Sequence, residues 1–130
     1  MISMKFFLIT TFFLSTTALA NDFESRVIAA ANAKATPQGT QYHESMRPAI
    51  SAAIGTCVPP DTTAPSSAGN FTLVGYVSRA GKIFLVDVQP KTAVAMCFAA
   101  QLVKMHLTSP PPPPASQAGF PIAVKMSVRM

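Results

Sequence analysis

The sequence has few of the side chains that catalysis uses. Its 130 residues include five acids and two histidines, His43 and His106. It lacks the H-E-x-x-H and G-x-S-x-G motifs and any pair of carboxylates at catalytic spacing. Glu44 follows His43, but consecutive residues of a helix do not face each other, so we expect both side chains on the surface. Asp87, the acid in the predicted strands, has no second acid or base near it in sequence, and we expect it to face solvent or to assist entry into the next helix. We therefore predict that the protein is not an enzyme and uses no cofactor.

Runs of basic residues are also absent. The net charge of +5 comes from lysines and arginines that are scattered singly along the chain, without aromatic residues between them. A nucleic-acid site normally shows a basic patch or stripe. The pattern is against nucleic-acid binding, and it favours anionic partners only weakly.

No hydrophobic run in the sequence reaches the roughly 20 residues that a membrane-crossing helix needs. Residues 1–20, MISMKFFLITTFFLSTTALA, combine one lysine, a short apolar run and the small-residue pattern Ala18-Leu19-Ala20. This pattern predicts a secretory signal that is cut after Ala20, with an uncleaved anchor as the alternative. Loss of Lys5 would lower the net charge from +5 to +4. The exported chain of about 110 residues fits one small domain, and we expect it in the periplasm.

The sequence contains two cysteines, Cys57 and Cys97. An oxidising compartment favours a disulfide between them. The bridge would close a loop of about forty residues and stabilise the fold by roughly 3 to 4 kcal/mol. The alternative is a metal site that also uses His43 and His106, but zinc sites usually show two close pairs of ligands. We predict the disulfide and no metal.

Two helical patterns precede the first predicted strand. The first covers residues 22–35 and is expected to end at Pro37-Gln38-Gly39. The second lies within Tyr42–Cys57, with Ser45 as its N-cap and Pro48 in the first turn, where proline is tolerated. Its buried stripe is predicted to consist of Ile50, Ile54 and Cys57.

A β-hairpin is predicted from residue 71. The runs FTLVGYVS and KIFLVDVQ are rich in β-branched and aromatic residues and are joined by Arg79-Ala80-Gly81. Gly81 supplies the positive φ that a three-residue turn needs.

A third helix is predicted from Ala93 to His106, with Thr92 as its cap. It is apolar almost all round, and such a helix must be covered on more than one side. We expect the sheet to cover one arc and a neighbouring helix to cover the other. The two arcs are Val94, Phe98, Leu102 and Met105, and Ala93, Met96, Ala100, Val103 and Leu107. Cys97 lies between them and would join this helix to the one before the hairpin.

Five prolines, Pro110–Pro114, separate the third helix from the last strand. They cannot continue a helix, and in an extended conformation they would carry the chain about 15 Å back along the sheet. The alternative is a proline-rich ligand for another domain. Residues 121–130, PIAVKMSVRM, then alternate between apolar and polar or basic side chains, which predicts a strand with one face covered by helices. The sequence therefore predicts an α+β fold, with a three-stranded antiparallel sheet and helices packed on one face, in the order α-β-β-α-β.

This order resembles the carboxy-terminal periplasmic domains of TonB and TolA. The matching pieces are FTLVGYVSRAGKIFLVDVQP, KTAVAMCFAAQLVKMHL, SPPPPP and FPIAVKMSVRM. A cysteine in the Ala-rich helix, ahead of the prolines, is similar to the TolA-like branch. The resemblance covers about residues 42–130 and divides the chain into a signal (1–20), an N-terminal helix or linker (21–40) and a TonB/TolA-like domain (41–130). Those families also have a membrane anchor and a long spacer, and we expect neither here.

The resemblance implies protein binding by strand addition, in which a partner segment pairs with an open sheet edge beside the last strand. The predicted partner-binding residues are Ile122, Val124, Lys125, Met126, Ser127, Val128 and Arg129. Lys125 and Arg129 would either select an acidic segment or guard the edge against aggregation. The expected partner is another envelope or secreted protein, and a homo-oligomer is also possible. The alternative function is that of a periplasmic inhibitor or immunity protein that blocks a secreted effector or hydrolase.

Overall fold

The computed structural model describes residues 18–58, 69–114 and 117–128. The helices are α1 (Ala18–Lys34), α2 (Pro37–Cys57) and α3 (Ala93–Val103), and the strands are β1 (Gly69–Val77), β2 (Ile83–Gln89) and β3 (Phe120–Val128). The strands form an antiparallel sheet in the order β2-β1-β3. Most of the predicted signal segment and Arg129 lie outside the described residues.

The predicted α+β fold is confirmed, with its three-stranded antiparallel sheet and its disulfide. Helices α2 and α3 pack on one face of the sheet. Phe71 of β1 lies against the fully buried Phe98 of α3, with the ring centroids 5.6 Å apart. Tyr42 of α2 meets Phe120 of β3 edge to face at 5.3 Å. These aromatic pairs join both helices to the sheet and form part of the core.

The disulfide joins α2 to α3 as predicted. Cys57 is the last residue of α2 and is bonded to Cys97, with the two Cα atoms 5.7 Å apart. The bridge lies beside the core, because Cys57, Ile50 and Ile54 are all partly buried against it. The predicted stripe of α2 is therefore only partly buried, and the buried residues of this helix are Gly39, Tyr42, Met46 and Ala53.

The start of α2 differs from the prediction. The helix begins at Pro37, because the Thr36 hydroxyl accepts a hydrogen bond from the Gly39 N–H at 3.0 Å and proline suits the first helical position. Ser45 is therefore not a cap; it lies inside α2, where its hydroxyl donates to the Tyr42 carbonyl. Pro48 also lies in the helix interior rather than in the first turn.

Gly39 permits a tight corner between α1 and α2. A Cβ atom at this position would lie 1.9 Å from the carbonyl oxygen of Ala33, near the end of α1. The sequence predicts a break between two helices at Pro37 and Gly39, whereas in the structure these residues form the first turn of α2. Since α1 ends at Lys34, a connection of two residues turns the chain from α1 into α2.

Helix α1 packs on the opposite face of the sheet from α2 and α3. Its Arg26 guanidinium lies 4.8 Å from the centroid of the Tyr76 ring and donates a hydrogen bond to the Leu85 carbonyl. Val74 lies on the same face as Tyr76, because residues two apart in a strand share a face, and it is fully buried. Phe23 and Ala30 of α1 are buried as well. The face that the alternating pattern of β3 assigned to solvent is therefore partly covered.

The two apolar arcs of α3 have different environments. Val94, Phe98 and Leu102 are buried, as predicted for the arc on the sheet. The prediction that a helix covers the second arc is wrong for the residues the structure describes, because Met96 is 52% and Val103 is 41% exposed. This arc lies beside β2 and leaves an apolar groove on the surface.

The proline run connects α3 to β3 as predicted. Helix α3 ends at Val103, three residues before the predicted end. The chain then passes the hairpin turn, where the Leu107 N–H donates to the Gly81 carbonyl at 2.9 Å. Gly81 has the predicted positive φ of 81°, and a Cβ atom there would lie 1.9 Å from the Leu107 oxygen. The connector and the hairpin turn therefore pack against each other through this glycine.

The start of the connector is also attached to α2. The Tyr42 hydroxyl donates to the Thr108 carbonyl at 2.8 Å. Burial raises the pKa of Tyr42 to about 12, so the phenol stays protonated and keeps this bond over the physiological pH range. The prolines then run towards Phe120, where β3 begins.

Candidate functional site

Strand β3 is an edge strand of the described sheet. It pairs with β1 from Phe120, opposite Val77, to Val128, opposite Gly69. Within residues 18–58, 69–114 and 117–128, no strand pairs with its other side. The predicted docking strand is thus extended and has one side without a neighbouring strand.

The hairpin determines which backbone groups of β3 point towards that free side. The Ser78 N–H donates to the Lys82 carbonyl at 2.8 Å, so the even-numbered residues of β1 direct their N–H and C=O groups to β2. The odd-numbered residues of β1 therefore bond to β3, where they pair with even-numbered partners. It follows that the odd-numbered residues of β3 present their N–H and C=O groups at the free edge. The donors there belong to Ala123, Lys125 and Ser127.

Pro121 supports this assignment. It lies within β3 and is buried, and it is paired in register with Tyr76. Proline has no N–H, so in sheets it is confined to positions whose N–H would face away from a neighbouring strand. As an odd-numbered residue, Pro121 meets that condition and costs the β1–β3 ladder no hydrogen bond.

Two backbone groups of the other edge strand, β2, are satisfied by side chains of the protein. Val88 pairs with the odd-numbered Leu73, so its N–H faces the edge, and the Asp87 carboxylate accepts that hydrogen at 2.9 Å. Leu85 has a positive φ of 51° at an irregularity in the β1–β2 register, and its carbonyl accepts from Arg26. Such bulges and satisfied edge groups prevent pairing with another strand.

The free edge of β3 has no corresponding hydrogen bond from a side chain in the part of the chain that the structure describes, although it carries Pro121 and Lys125, two residue types that also discourage pairing. No side chain there donates to or accepts from the edge groups of Ala123, Lys125 or Ser127. Asp87, whose predicted role was solvent exposure or helix entry, is half-buried and serves instead to satisfy the Val88 N–H. The two edges of the sheet therefore differ in how their outward backbone groups are satisfied.

The predicted partner-binding residues divide between the core and the surface. Ile122 and Val124 are buried on the face covered by α2 and α3, and Met126 is half-buried there. Their role is to hold β3 in the sheet. Lys125 and Ser127 are exposed and can contact a partner directly. Val128 ends the strand.

A groove of about 290 Å³ lies next to this edge, between α1, α2 and β3. Its polar side chains are Lys34 of α1, His43 of α2 and Lys125 of β3, and its walls include Ala30 and Ala123. Sequence reasoning missed this cluster, because these three basic residues are far apart in the chain and no local pattern links them. We name it the basic groove.

His43, which was predicted to be a surface residue, is half-buried in the basic groove. Its Nε2 atom is buried and has no hydrogen-bond partner among the described residues. Burial lowers the pKa of His43, and the positive charge of Lys34 lowers it further. Its neighbour Glu44 is engaged elsewhere, in an exposed ion pair with Arg47 at 3.3 Å.

The sulfurs of Cys57 and Cys97 are joined to each other, and no three His, Cys, Asp or Glu side chains in the described ranges come together as a metal site. None of the described helices has both the length and the apolar character needed to cross a bilayer.

Comparison of the chain with protein-family models, with curated proteins and with solved structures finds no match.

Proposed function

We propose that this protein is an exported protein-binding module of the bacterial cell envelope, which takes up an extended segment of another envelope or secreted protein as a fourth strand along β3. The observation that carries the proposal is the contrast between the two sheet edges. The outward N–H of Val88 in β2 is satisfied by Asp87 within the protein, whereas the outward groups of β3 have no partner among the described residues. Strand addition uses such unpaired edge groups.

The bound segment would exchange hydrogen bonds with alternate residues of β3. The outward N–H groups of Ala123, Lys125 and Ser127 are spaced by two residues, which is about 6.8 Å along a strand. Each bond made with a partner would contribute about 0.5–1.5 kcal/mol net. Main-chain bonds of this kind give affinity with little selectivity, and the side chains of the partner would give specificity.

The surroundings of β3 suit a partner with alternating side chains. Residues of an added strand would point alternately to the α1 side and to the α2 side of the sheet. On the α1 side they would meet the basic groove. The resemblance of residues 42–130 to the TonB and TolA carboxy-terminal domains, in which the last strand accepts partner segments, supports the same function.

Photo-crosslinking in an envelope extract tests the location of binding. A photoreactive amino acid is placed at Ser127 on the β3 edge and, in a matched control protein, at Leu85 on the β2 edge. Leu85 is 64% exposed, so both probes are accessible. We expect one prominent crosslinked protein from position 127 and none from position 85, because Asp87 already satisfies the Val88 N–H and Arg26 the Leu85 carbonyl.

The identity of the crosslinked protein separates the remaining functions. An envelope component supports the binding module. A single secreted toxin or hydrolase that loses activity on binding supports the inhibitor function instead. Crosslinks that form from position 85 and not from position 127 would contradict docking at β3.

A further inference from the structure

We infer that the basic groove is a carboxylate-binding subsite, so that the segment added to β3 carries an aspartate or glutamate at the position facing Lys34, His43 and Lys125. This inference rests on the proposed strand addition at β3, and it specifies the chemistry of the partner. Three observations carry it: uncompensated positive charge, an unpartnered buried imidazole nitrogen, and a groove of suitable size and lining.

The charge in the basic groove is not balanced within the described structure. Lys34 lies in the last turn of α1 and Lys125 in the middle of β3, and no acidic side chain lines the groove with them. Glu44, the acid nearest in sequence, is engaged by Arg47. Two lysines at one groove favour an anionic ligand, and a partly enclosed site screens that attraction less than open surface does.

His43 adds an imidazole ring, which can form a hydrogen bond, to the lining of the groove. Its Nε2 is buried and unpartnered, and the charged groups that line the groove with it are Lys34 and Lys125. Burial and Lys34 favour the neutral ring, which can donate through one nitrogen. A carboxylate oxygen accepting from Nε2–H would satisfy this atom after a small movement of the ring or its neighbours, because Nε2 is closed to solvent in the free protein. In return, the negative charge would favour protonation of the ring.

The shape of the groove favours a carboxylate on a short aliphatic stem. Val27, Ala30 and Ala123 give it apolar walls, which suit the methylene groups of glutamate. The two ammonium groups and the imidazole are all able to donate hydrogen bonds to the oxygens of a carboxylate. Lys125 connects the subsite to the edge, because its backbone binds the added strand while its side chain reaches the groove.

A displayed library of random twelve-residue peptides tests the inference without knowledge of the natural partner. The library is selected against three proteins with the disulfide intact: the wild type, the double variant Lys34→Gln/Lys125→Gln, and Ser127→Pro. The double variant keeps every backbone donor of β3 but removes both lysine charges. Ser127→Pro leaves the groove untouched and removes one edge donor.

We expect wild-type binders to share an acidic residue at one position, flanked by β-branched residues. Replacement of that acid by its amide should weaken binding to the wild type about tenfold, as loss of a charge-assisted contact does. The amide replacement should have little effect on the double variant, and a lysine replacement should abolish binding to the wild type.

The other outcomes overturn the inference, and they separate it from the proposed function. Binders that show no acid preference but lose affinity for Ser127→Pro would remove the subsite and leave strand addition in place. Acidic binders that bind Ser127→Pro as tightly as the wild type would place the carboxylate on a ligand that does not extend β3. A library that yields no binders to the wild type would count against both.

Discussion

Replacement of both Cys57 and Cys97 by alanine should lower the free energy of unfolding by about 4 kcal/mol. The bridge spans a sequence separation of 40 residues, and its loss allows the unfolded chain many more conformations. Small domains are stable by about 5–15 kcal/mol, so the effect is a large fraction of the total. Denaturant titration, followed by circular dichroism, gives the midpoint and the slope for each protein.

The position of the bridge explains why packing alone would not replace it. Cys57 is the last residue of α2, whereas Cys97 is followed directly by the fully buried Phe98. The core therefore holds α3 firmly, and the bridge fixes the end of α2 to it. Wild-type protein treated with a reducing agent is the matched control and should lose the same free energy as the double variant. Equal midpoints for oxidised and reduced wild type would contradict this role of the disulfide.

Proline at two consecutive positions of β3 should give opposite results. Ser127→Pro should leave the protein folded and weaken partner binding about tenfold or more, because it removes an outward donor that a bound strand would use. Met126→Pro should destabilise the fold by about 1–3 kcal/mol, because it removes an N–H that bonds to β1 at Phe71 and leaves the partner carbonyl unsatisfied. Thermal unfolding and the affinity for the crosslinked partner distinguish the two effects.

Two controls keep this pair of variants interpretable. Ser127→Ala retains the backbone N–H and should bind as the wild type does, which separates the main chain from the side chain. Pro121 already shows that β3 accommodates a proline at an outward-facing position. If Ser127→Pro binds as tightly as the wild type, its edge donor is not used. If Met126→Pro keeps the wild-type stability and Ser127→Pro does not, then the even-numbered residues of β3, and not the odd-numbered ones, direct their N–H groups to the free edge.

Local patterns were sufficient to predict the hairpin, the disulfide and the connector. Gly81 indicated the position of the turn, because glycine readily adopts the positive φ that the turn needs. The proline run indicated the end of α3, because proline cannot continue a helix. The two cysteines had one possible pairing once export was assumed. In each case a single residue type restricts the backbone or the chemistry strongly enough to act without its tertiary context.

The errors arose where a residue has two local meanings. Pro37 followed by Gly39 can end one helix or begin the next, and the N-cap at Thr36 decided for the second. Because the start of α2 was predicted too late in the chain, Ser45 was wrongly predicted to be its N-cap. The second apolar arc of α3 was expected to be covered because its side chains are hydrophobic, but Met96 lies on the surface. Helical periodicity shows that a face is apolar and does not show what covers it.

The candidate site was only partly accessible from the sequence. The alternation of β3 indicated a strand, and the resemblance pointed to its edge. The protection of the other edge by Asp87 and Arg26 depends on the bulge at Leu85 and on the packing of α1 across the sheet. The basic groove likewise depends on the corner between α1 and α2, which brings Lys34 and His43 to β3. These are tertiary arrangements of residues distant in the chain.

Amide hydrogen exchange along β3 tests the open edge most directly. In the free protein we expect the amides of Ile122, Val124 and Met126 to exchange slowly, and those of Ala123, Lys125 and Ser127 to exchange much faster. Addition of the crosslinked partner, or of a selected peptide, should slow the second group selectively. Uniformly slow exchange in the free protein, or edge amides that remain fast in the complex, would contradict strand addition at β3.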